Sequence, residues 1–225
     1  MGTFDPVFLA GPDGLNKMHF HEWIDDFDFY LATDWVITET GSGTRAIAQA
    51  KDGILVVTNA AADDDHNFLQ TRDVASGQVA EHWKFTAGKR LFFEARFKVS
   101  DATQSDFVMG LQITDTSPLA VSDGIWFQKD DGDKHIDFHV AKGSTQSDLT
   151  AGADAADDTY MKLSFVYDGS TSFITAYKDG VIMGSVPTTN APTTEELVVS
   201  FAIQNGEAVA KSMSLDYIRV VQERG

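Results

Sequence analysis

The sequence predicts an all-β protein built from two stacked antiparallel sheets, and three observations carry this prediction. Apolar residues recur at every second position in many short segments, which is the period of a half-buried strand. Turn residues separate these segments, and Asp-Gly pairs are the clearest of them. No stretch keeps a convincing helical period over its length. A chain of 225 residues that is 43% hydrophobic can enclose one large core, so the strands are assigned to a single sandwich.

Strands are expected along most of the chain, and the clearest is Arg90–Val99, in which apolar and charged residues alternate. Phe93 and Phe97 lie on its apolar face. In chain order, the expected strands are Ile54–Thr58, Phe68–Arg72, Arg90–Val99, Phe107–Thr114, Ile125–Gln128, His135–Val140, Met161–Tyr167, Phe173–Lys178, Val181–Val186, Leu197–Gln204 and Ser212–Val221. Two stretches with a weak helical pattern, Asp73–Glu81 and Asp148–Asp158, are interpreted as loops.

A tight hairpin is predicted at Asp179-Gly180, between two apolar strand patterns. This pair is typical of a type I′ turn, which needs a positive φ at both central residues. The residues on the apolar phase of the strongest strand patterns are expected to face the core: Phe93, Phe97, Phe165, Tyr177 and Leu215.

The N-terminal segment, residues 1–22, shows neither a helical nor a strand period, and its apolar residues stand among prolines and glycines. It is predicted to be an arm that precedes one sandwich domain over residues 23–222. Two interpretations stay open: the arm packs on its own domain, or it docks on a partner subunit. The segment has neither a basic start nor an unbroken apolar run, so no signal peptide is predicted.

The charge of the chain restricts its partners. It has 17 basic and 34 acidic residues, which gives a formal net charge of −17. Such a surface repels nucleic acid and anionic membranes, so neither is an expected partner. The absence of cysteine excludes disulfides, zinc-thiolate sites and thiol catalysis.

Four segments of the second half carry a resemblance to a known fold. They are Phe93–Phe97, Tyr160–Gly169, Phe173–Val181 and Leu215–Val220. An aromatic strand that ends in Asp-Gly, a hairpin with Tyr-x-Asp-Gly, and a last strand of Leu-Asp-x-Ile-x-Val type resemble the concanavalin A-like jelly roll of laminin-G-type, legume-lectin-like and family 16 glycoside hydrolase domains. The resemblance implies a two-sheet antiparallel jelly-roll sandwich and reports no reaction.

The hydrolases of that resemblance carry Glu-x-Asp-x-Glu or Glu-x-Asp-x-x-Glu on one strand, which points the carboxylates into a cleft. None of the glutamates of this chain is followed two residues later by Asp. No Gly-x-Ser-x-Gly elbow of a serine hydrolase occurs either. The sequence therefore predicts that the protein is not an enzyme, and it assigns no catalytic residue.

Two candidate metal sites and one candidate sugar-stacking residue were weighed on the same grounds. His135, Asp137 and His139 share one face of a strand, where two imidazoles could reach a zinc ion, and a second His-x-His ends at His21. A solvated strand face explains the same pattern. The run from Asp130 to Asp133 resembles half of a calcium loop, and a hairpin tip explains it equally. Trp126 could stack on a sugar ring or belong to the core. No cofactor and no metal ligand is assigned.

Two functions follow from the resemblance. Phages use concanavalin A-like domains to decorate or cement their capsids, so the first hypothesis is a non-enzymatic structural protein of the virion. It would be located at the phage capsid surface, with the major capsid protein and copies of itself as partners. The alternative is a lectin-like module that binds a glycan.

Overall fold

The computed structural model describes residues 19–48, 53–73, 78–79 and 82–224. Nearly all regular structure in these ranges is β-strand. The strands are β1 (Phe20–Asp25), β2 (Trp35–Thr40), β3 (Thr44–Ile47), β4 (Leu55–Thr58), β5 (His66–Asp73), β6 (Gln78–Val79), β7 (Arg90–Val99), β8 (Ser105–Gln112), β9 (Gly124–Lys129), β10 (His135–Lys142), β11 (Thr145–Asp154), β12 (Met161–Asp168), β13 (Phe173–Lys178), β14 (Val181–Pro187), β15 (Val198–Asn205) and β16 (Ser212–Glu223).

Two antiparallel sheets form a sandwich, as the sequence predicts. The first sheet has the order β14-β13-β12-β7-β16-β4-β3, and β1 also pairs with β16. The second has the order β11-β10-β9-β8-β15-β5-β2, and β6 also pairs with β5. Because β4 covers only the start of β16 and β1 covers its end, β1 forms the edge of the first sheet over that half.

The core lies between the sheets and is rich in phenylalanine. Phe93 and Phe165 are cross-strand partners on β7 and β12, and their rings stack 5.2 Å apart. Phe97 reaches the second sheet, where its ring meets that of Phe107 edge to face at 5.2 Å. Burial of these predicted core residues and of Leu215 is confirmed. The prediction that Tyr177 faces the core is wrong. Tyr177 is buried, but its cross-strand partner is Ser164, whose neighbour Phe165 points into the core, so Tyr177 and Ser164 lie on the opposite face of the sheet.

The hairpin between β13 and β14 confirms the predicted turn chemistry. Asp179 has φ 52° and Gly180 has φ 78°, which are the two positive values that a type I′ turn requires. The Asp179 carboxylate also accepts a hydrogen bond of 2.8 Å from the backbone N–H of Lys162, and this bond ties the turn to β12.

The expectation that Asp148–Asp158 is a loop is wrong up to Asp154, because β11 covers Thr145–Asp154 and pairs with β10. This edge strand shows no apolar alternation, since both of its faces are largely exposed. Its pairing also shifts register between Ile136 and Phe138, where Ala151 has a positive φ of 49°. The bulge places Thr150, Ala151 and Gly152 opposite Asp137 alone. In the other predicted loop, Asp73–Glu81, the described residues include the short strand β6.

Of the predicted N-terminal arm, only residues 19–22 lie among the described residues, and Phe20–Glu22 belong to β1. The arm and the domain boundary after it therefore stay predictions. Within the described residues, no helix has the length and apolar character needed to cross a lipid bilayer.

Candidate functional site

A cleft opens between the two sheets where β1 faces β2. Alternate residues of β1 point toward the core, so His21, Trp23 and Asp25 share one side of the strand. Here, however, the strand lies at an edge, and these side chains line an opening of about 260 Å³, which we call the edge cleft. Its lining residues are His21, Trp23, Asp25, Asp34, Trp35, Thr71, Arg72, His82 and Trp83.

Aromatic rings form the floor and one wall of the edge cleft. Trp35 and Trp83 are 4% and 2% exposed, so they are fixed by the core and show only part of their rings. The His21 imidazole stacks on Trp83 at 4.7 Å and 19° between the ring planes. Trp23 meets Trp35 edge to face at 6.3 Å and remains half-buried. Trp23 is therefore the aromatic side chain best placed to contact a ligand.

Burial shifts the pKa values of His21 and Asp25, which lie on either side of Trp23 on β1, in opposite directions. Burial raises the pKa of the Asp25 carboxyl, and the neighbouring Asp26 and Asp34 raise it further, although the backbone N–H of Phe27 donates to it at 2.9 Å. Burial lowers the pKa of the His21 imidazole, and the charges of Arg224 and His82 lower it further. Both shifts favour the neutral forms, which can donate and accept hydrogen bonds.

Trp126, the candidate sugar-stacking residue of the sequence, is not available to a ligand. It lies on the outer face of the second sheet but is only 2% exposed. Leu119 and Val121, from the connection between β8 and β9, pack over it in a small second apolar cluster with Phe68 and Val108. The indole N–H donates to Gln128 at 2.9 Å. Trp126 therefore belongs to a structural cluster on that face, whereas its neighbour Phe127 lies in the main core.

The histidines of β10 take separate hydrogen-bond partners. His135 pairs with Asp154 at 2.8 Å, and His139 pairs with Asp148 at 2.7 Å, so each imidazole is held toward β11. His135 is exposed, as a solvated face requires, but His139 is buried beside Trp126, with the ring centroids 5.2 Å apart.

The run from Asp130 to Asp133 forms the tip between β9 and β10, with Gly132 at φ 91°. Its carboxylates are used locally. Asp133 accepts from the backbone N–H of His135 at 2.7 Å, and Asp130 accepts from the Gln128 amide at 2.8 Å. Among the described residues, no group of three or more His, Cys, Asp or Glu side chains is arranged to hold a metal ion.

Sequence reasoning missed the edge cleft. His21 was noted only as part of a second His-x-His, and Trp23 and Asp25 were not singled out. The stretch Phe20–Asp25 shows no apolar alternation, because polar side chains occupy its core-facing phase. One signal was present: a histidine, a tryptophan and an aspartate at every second position, just outside the recognised strands.

Comparison with solved structures identifies the fold. An endo-1,3-β-glucanase from Streptomyces sioyaensis matches with a TM-score of 0.66 at 12% identity, over 92% of this chain and 98% of the glucanase. The carbohydrate recognition domain of Emp47p matches with a TM-score of 0.61 at 10% identity, over 92% of this chain and 98% of that domain. The chain has the concanavalin A-like jelly-roll fold. An endo-β-1,4-glucuronan lyase from the fungus Trichoderma reesei shares this jelly roll with a TM-score of 0.58 at 11% identity, over 88% of this chain and 94% of the lyase.

No protein-family model and no curated protein sequence matches the chain. The jelly-roll resemblance predicted from the sequence is confirmed. The prediction that the protein is not an enzyme is wrong as drawn, because a glucanase and a lyase share this jelly roll over most of the chain. The lack of one carboxylate motif therefore gives no ground to exclude an enzyme. The capsid role, the virion location and the capsid-protein partner rest on the sequence alone.

Proposed function

We propose that the protein binds a carbohydrate in the edge cleft, with one sugar ring stacked on Trp23. The observation that carries this proposal is the arrangement along β1, where a half-buried tryptophan stands between two polar side chains, His21 and Asp25. Alternate side chains on a strand lie about 7 Å apart, so this row is matched to an extended ligand that runs along the strand.

The chemistry of the cleft suits a sugar. One face of a pyranose ring presents C–H groups, which pack on an indole, and its hydroxyls need hydrogen-bond partners at the ring edge. Ligand sites typically combine an apolar wall with a few converging polar groups. Here Trp23 and Trp83 supply the wall, while the imidazole of His21 and the carboxyl of Asp25 supply the polar groups.

The similar structures support a glycan as the ligand class. The Emp47p domain is a carbohydrate recognition domain, and the glucanase and the lyase are named for polysaccharide substrates. The virion hypothesis from the sequence is compatible with this proposal, since a decoration protein that binds glycans would use the same cleft. It stands as a separate hypothesis that co-purification with capsids would test.

Substitution of Trp23 by alanine tests the proposal. In a native gel that contains a polysaccharide to which it binds, the wild-type protein should migrate more slowly than in a gel without it. A panel of β-glucans, mannan, xylan and polygalacturonate covers neutral and acidic polysaccharides. We expect Trp23→Ala to bind this polysaccharide at least tenfold more weakly, because the ring that packs on the sugar is gone.

Phe173→Ala is the matched control, since Phe173 is 52% exposed on β13, away from the cleft. The control should bind like the wild type, and both variants should keep a cooperative thermal transition. Two results would overturn the proposal: no polysaccharide of the panel retards the wild type, or a folded Trp23→Ala variant binds as tightly as the wild type.

A second candidate function is cleavage of the bound glycan, and one observation favours it. The edge cleft holds two carboxyl groups, Asp25 and Asp34, and the pKa of Asp25 is raised by burial and by the charge of Asp34. A pair in which one carboxyl keeps its proton is the arrangement that glycoside hydrolysis uses. Asp25 would protonate the leaving oxygen, and Asp34 would act as the base or nucleophile.

Release of reducing ends from the retarding polysaccharide tests this second candidate. We expect Asp25→Asn to abolish release while binding persists, because the amide cannot donate the proton. The rate should fall as the pH rises through the raised pKa of Asp25, since the acid form is then lost. If the wild type binds the polysaccharide but releases no reducing ends from it, cleavage is overturned and binding alone stands.

A further inference from the structure

A second opening continues the edge cleft toward the end of β16. It has a volume of about 430 Å³ and shares His21 and His82 with the edge cleft. We call it the basic basin, and its remaining lining residues are Lys84, Thr86, Lys89, Gln222, Glu223 and Arg224. His21 is the β1 residue next to Trp23 on the same side, so the basin begins about 7 Å from the indole.

The cations of the basin are not neutralised by the acid beside them. Glu223 is occupied by Arg90, which donates to one carboxylate oxygen through Nη2 at 2.6 Å and Nε at 3.1 Å. The backbone N–H of Arg90 donates to the other oxygen at 2.9 Å. Both carboxylate oxygens of Glu223 therefore bond to Arg90, and the guanidinium of Arg90 balances the Glu223 charge.

The other cations have weak acidic partners or none. Lys84 lies 3.9 Å from Glu196, at the limit of an ion pair between two well-exposed groups. Within the part of the chain that the structure describes, no carboxylate forms an ion pair with Lys89 or Arg224. The Arg224 side chain donates through Nε to the backbone carbonyl of Phe20 at 3.0 Å, and its backbone N–H donates to the carbonyl of His19 at 2.8 Å.

This cluster stands out against the charge of the whole chain, in which acidic residues outnumber basic ones 34 to 17. Burial is the main reason why the pKa of His21 is lowered, and the positive charges of Arg224 and His82 beside the basin lower it further. The net charge of −17 does not cancel the field of these cations at a bound ligand, because its acidic residues are spread over the whole chain. At physiological salt, the interaction between exposed charges is largely screened beyond about 8 Å.

We propose that the glycan of the edge cleft is anionic, with one sugar ring on Trp23 and the carboxylate or sulfate group of the adjoining sugar in the basic basin against Lys84, Lys89 and Arg224. This inference rests on the proposed carbohydrate-binding function and names the class of the ligand. The cations supply the charge, while Thr86 and Gln222 line the basin beside them with their side-chain donors directed at the backbone carbonyl of Lys84.

The test compares two ligands with the same sugar ring, of which only one carries a negative charge. Oligogalacturonate and its methyl ester have the same ring geometry, but the ester has lost its negative charge. We expect the wild type to bind the acid at least tenfold more tightly than the ester by titration calorimetry. The affinity for the acid should also fall as salt rises from 50 to 500 mM, whereas that for the ester should not. A sulfated oligosaccharide in a third titration shows which anionic group is preferred.

The double variant Lys84→Gln/Lys89→Gln should lose the preference for the acid and keep the affinity for the ester. Lys134→Gln/Lys142→Gln is the matched control, because both lysines are exposed on or beside β10 of the other sheet and the change in net charge is identical. This control should bind like the wild type.

The outcomes separate the two proposals. If the wild type binds acid and ester equally, the anionic inference is overturned and carbohydrate binding stands. If the basin variant keeps the full preference for the acid, the basin is not the site of recognition. If neither these ligands nor the neutral polysaccharides bind, the proposed function itself is overturned.

Discussion

His21 and Asp25 occupy positions of β1 whose partners on β16, Gln222 and Ile218, lie on either side of Val220, a core residue. Polar groups at such positions lose hydration, and the opposite pKa shifts of the two side chains record this cost. Apolar residues there would make a better closed edge. The polar residues are consistent with a cleft that is kept open for a ligand at some expense in stability.

A second polar residue with a similar cost is Asp106 on β8, which has no part in the edge cleft. It is only 4% exposed, and burial raises its pKa to about 6. Its nearest cation, Lys129, is itself buried and donates to the backbone carbonyl of Ser105. The backbone N–H of Asp131 donates to the Asp106 carboxylate at 2.5 Å, but burial and the charges of Asp131 and Asp130 outweigh this bond and the nearby lysine.

We predict that Asp106→Asn stabilises the protein at pH 7 and changes little near pH 4. The folded state keeps the proton up to about pH 6, whereas the unfolded chain loses it near 3.8, so the wild-type free energy of unfolding falls as the pH rises through that window. The amide does not titrate, and the gain at pH 7 should be about 1–2 kcal/mol. Urea titrations at the two pH values measure it.

Glu195→Gln serves as the control for this prediction, since Glu195 is exposed. It should leave the pH profile of stability as in the wild type. A loss of stability for Asp106→Asn at pH 7 would show that the charged form is favoured in the folded state.

At the scale of the strand, β12 connects the two sheets through one ring. Phe165 stacks on Phe93 of β7 within its own sheet, and it meets Phe138 at 5.6 Å and Phe127 at 6.3 Å in the other sheet. Its position follows directly from the alternation in Met161–Asp168, where the residues of one phase are apolar.

We predict that Phe165→Ala lowers the free energy of unfolding by about 3–5 kcal/mol, as is usual for a fully buried phenylalanine whose removal leaves a cavity. Equilibrium unfolding in urea measures the loss. Phe173→Ala, at the exposed start of β13, should cost less than about 1 kcal/mol. Equal costs for the two variants would contradict the packing described for Phe165.

Strands such as β7 and β12 were predictable because each has one buried and one solvated face, so apolar and polar residues alternate along its sequence. The turn at Asp179-Gly180 was predictable because few residues tolerate its φ values. β11 was not, since an edge strand with two exposed faces and a bulge has no such period. β1 was missed for a different reason: its core-facing phase carries the polar side chains of the candidate site, and local pattern and function conflict there.

For the whole molecule, the strand pattern gave the architecture but not the location of the cleft. The net charge of −17 describes the average surface, and it gives no sign of a local cluster of cations that an anionic ligand could use. Lys84 and Lys89 precede β7, and Arg224 follows β16. The pairing of β16 with β7 on one side and with β1 on the other brings these cations beside Trp23. The net charge is a sum over all residues, so it does not show where charges of one sign cluster on the folded surface.

The pairing of β1 with β16 also has a consequence for biosynthesis. Phe20 is the partner of Glu223, so β1 leaves the ribosome long before the strand with which it pairs. Domains form as the chain is synthesised from the N-terminus, and contacts between distant segments are the last to become available. The edge cleft and the basic basin are therefore assembled only after β16 has been synthesised, and a nascent chain that stalls earlier has no complete ligand site.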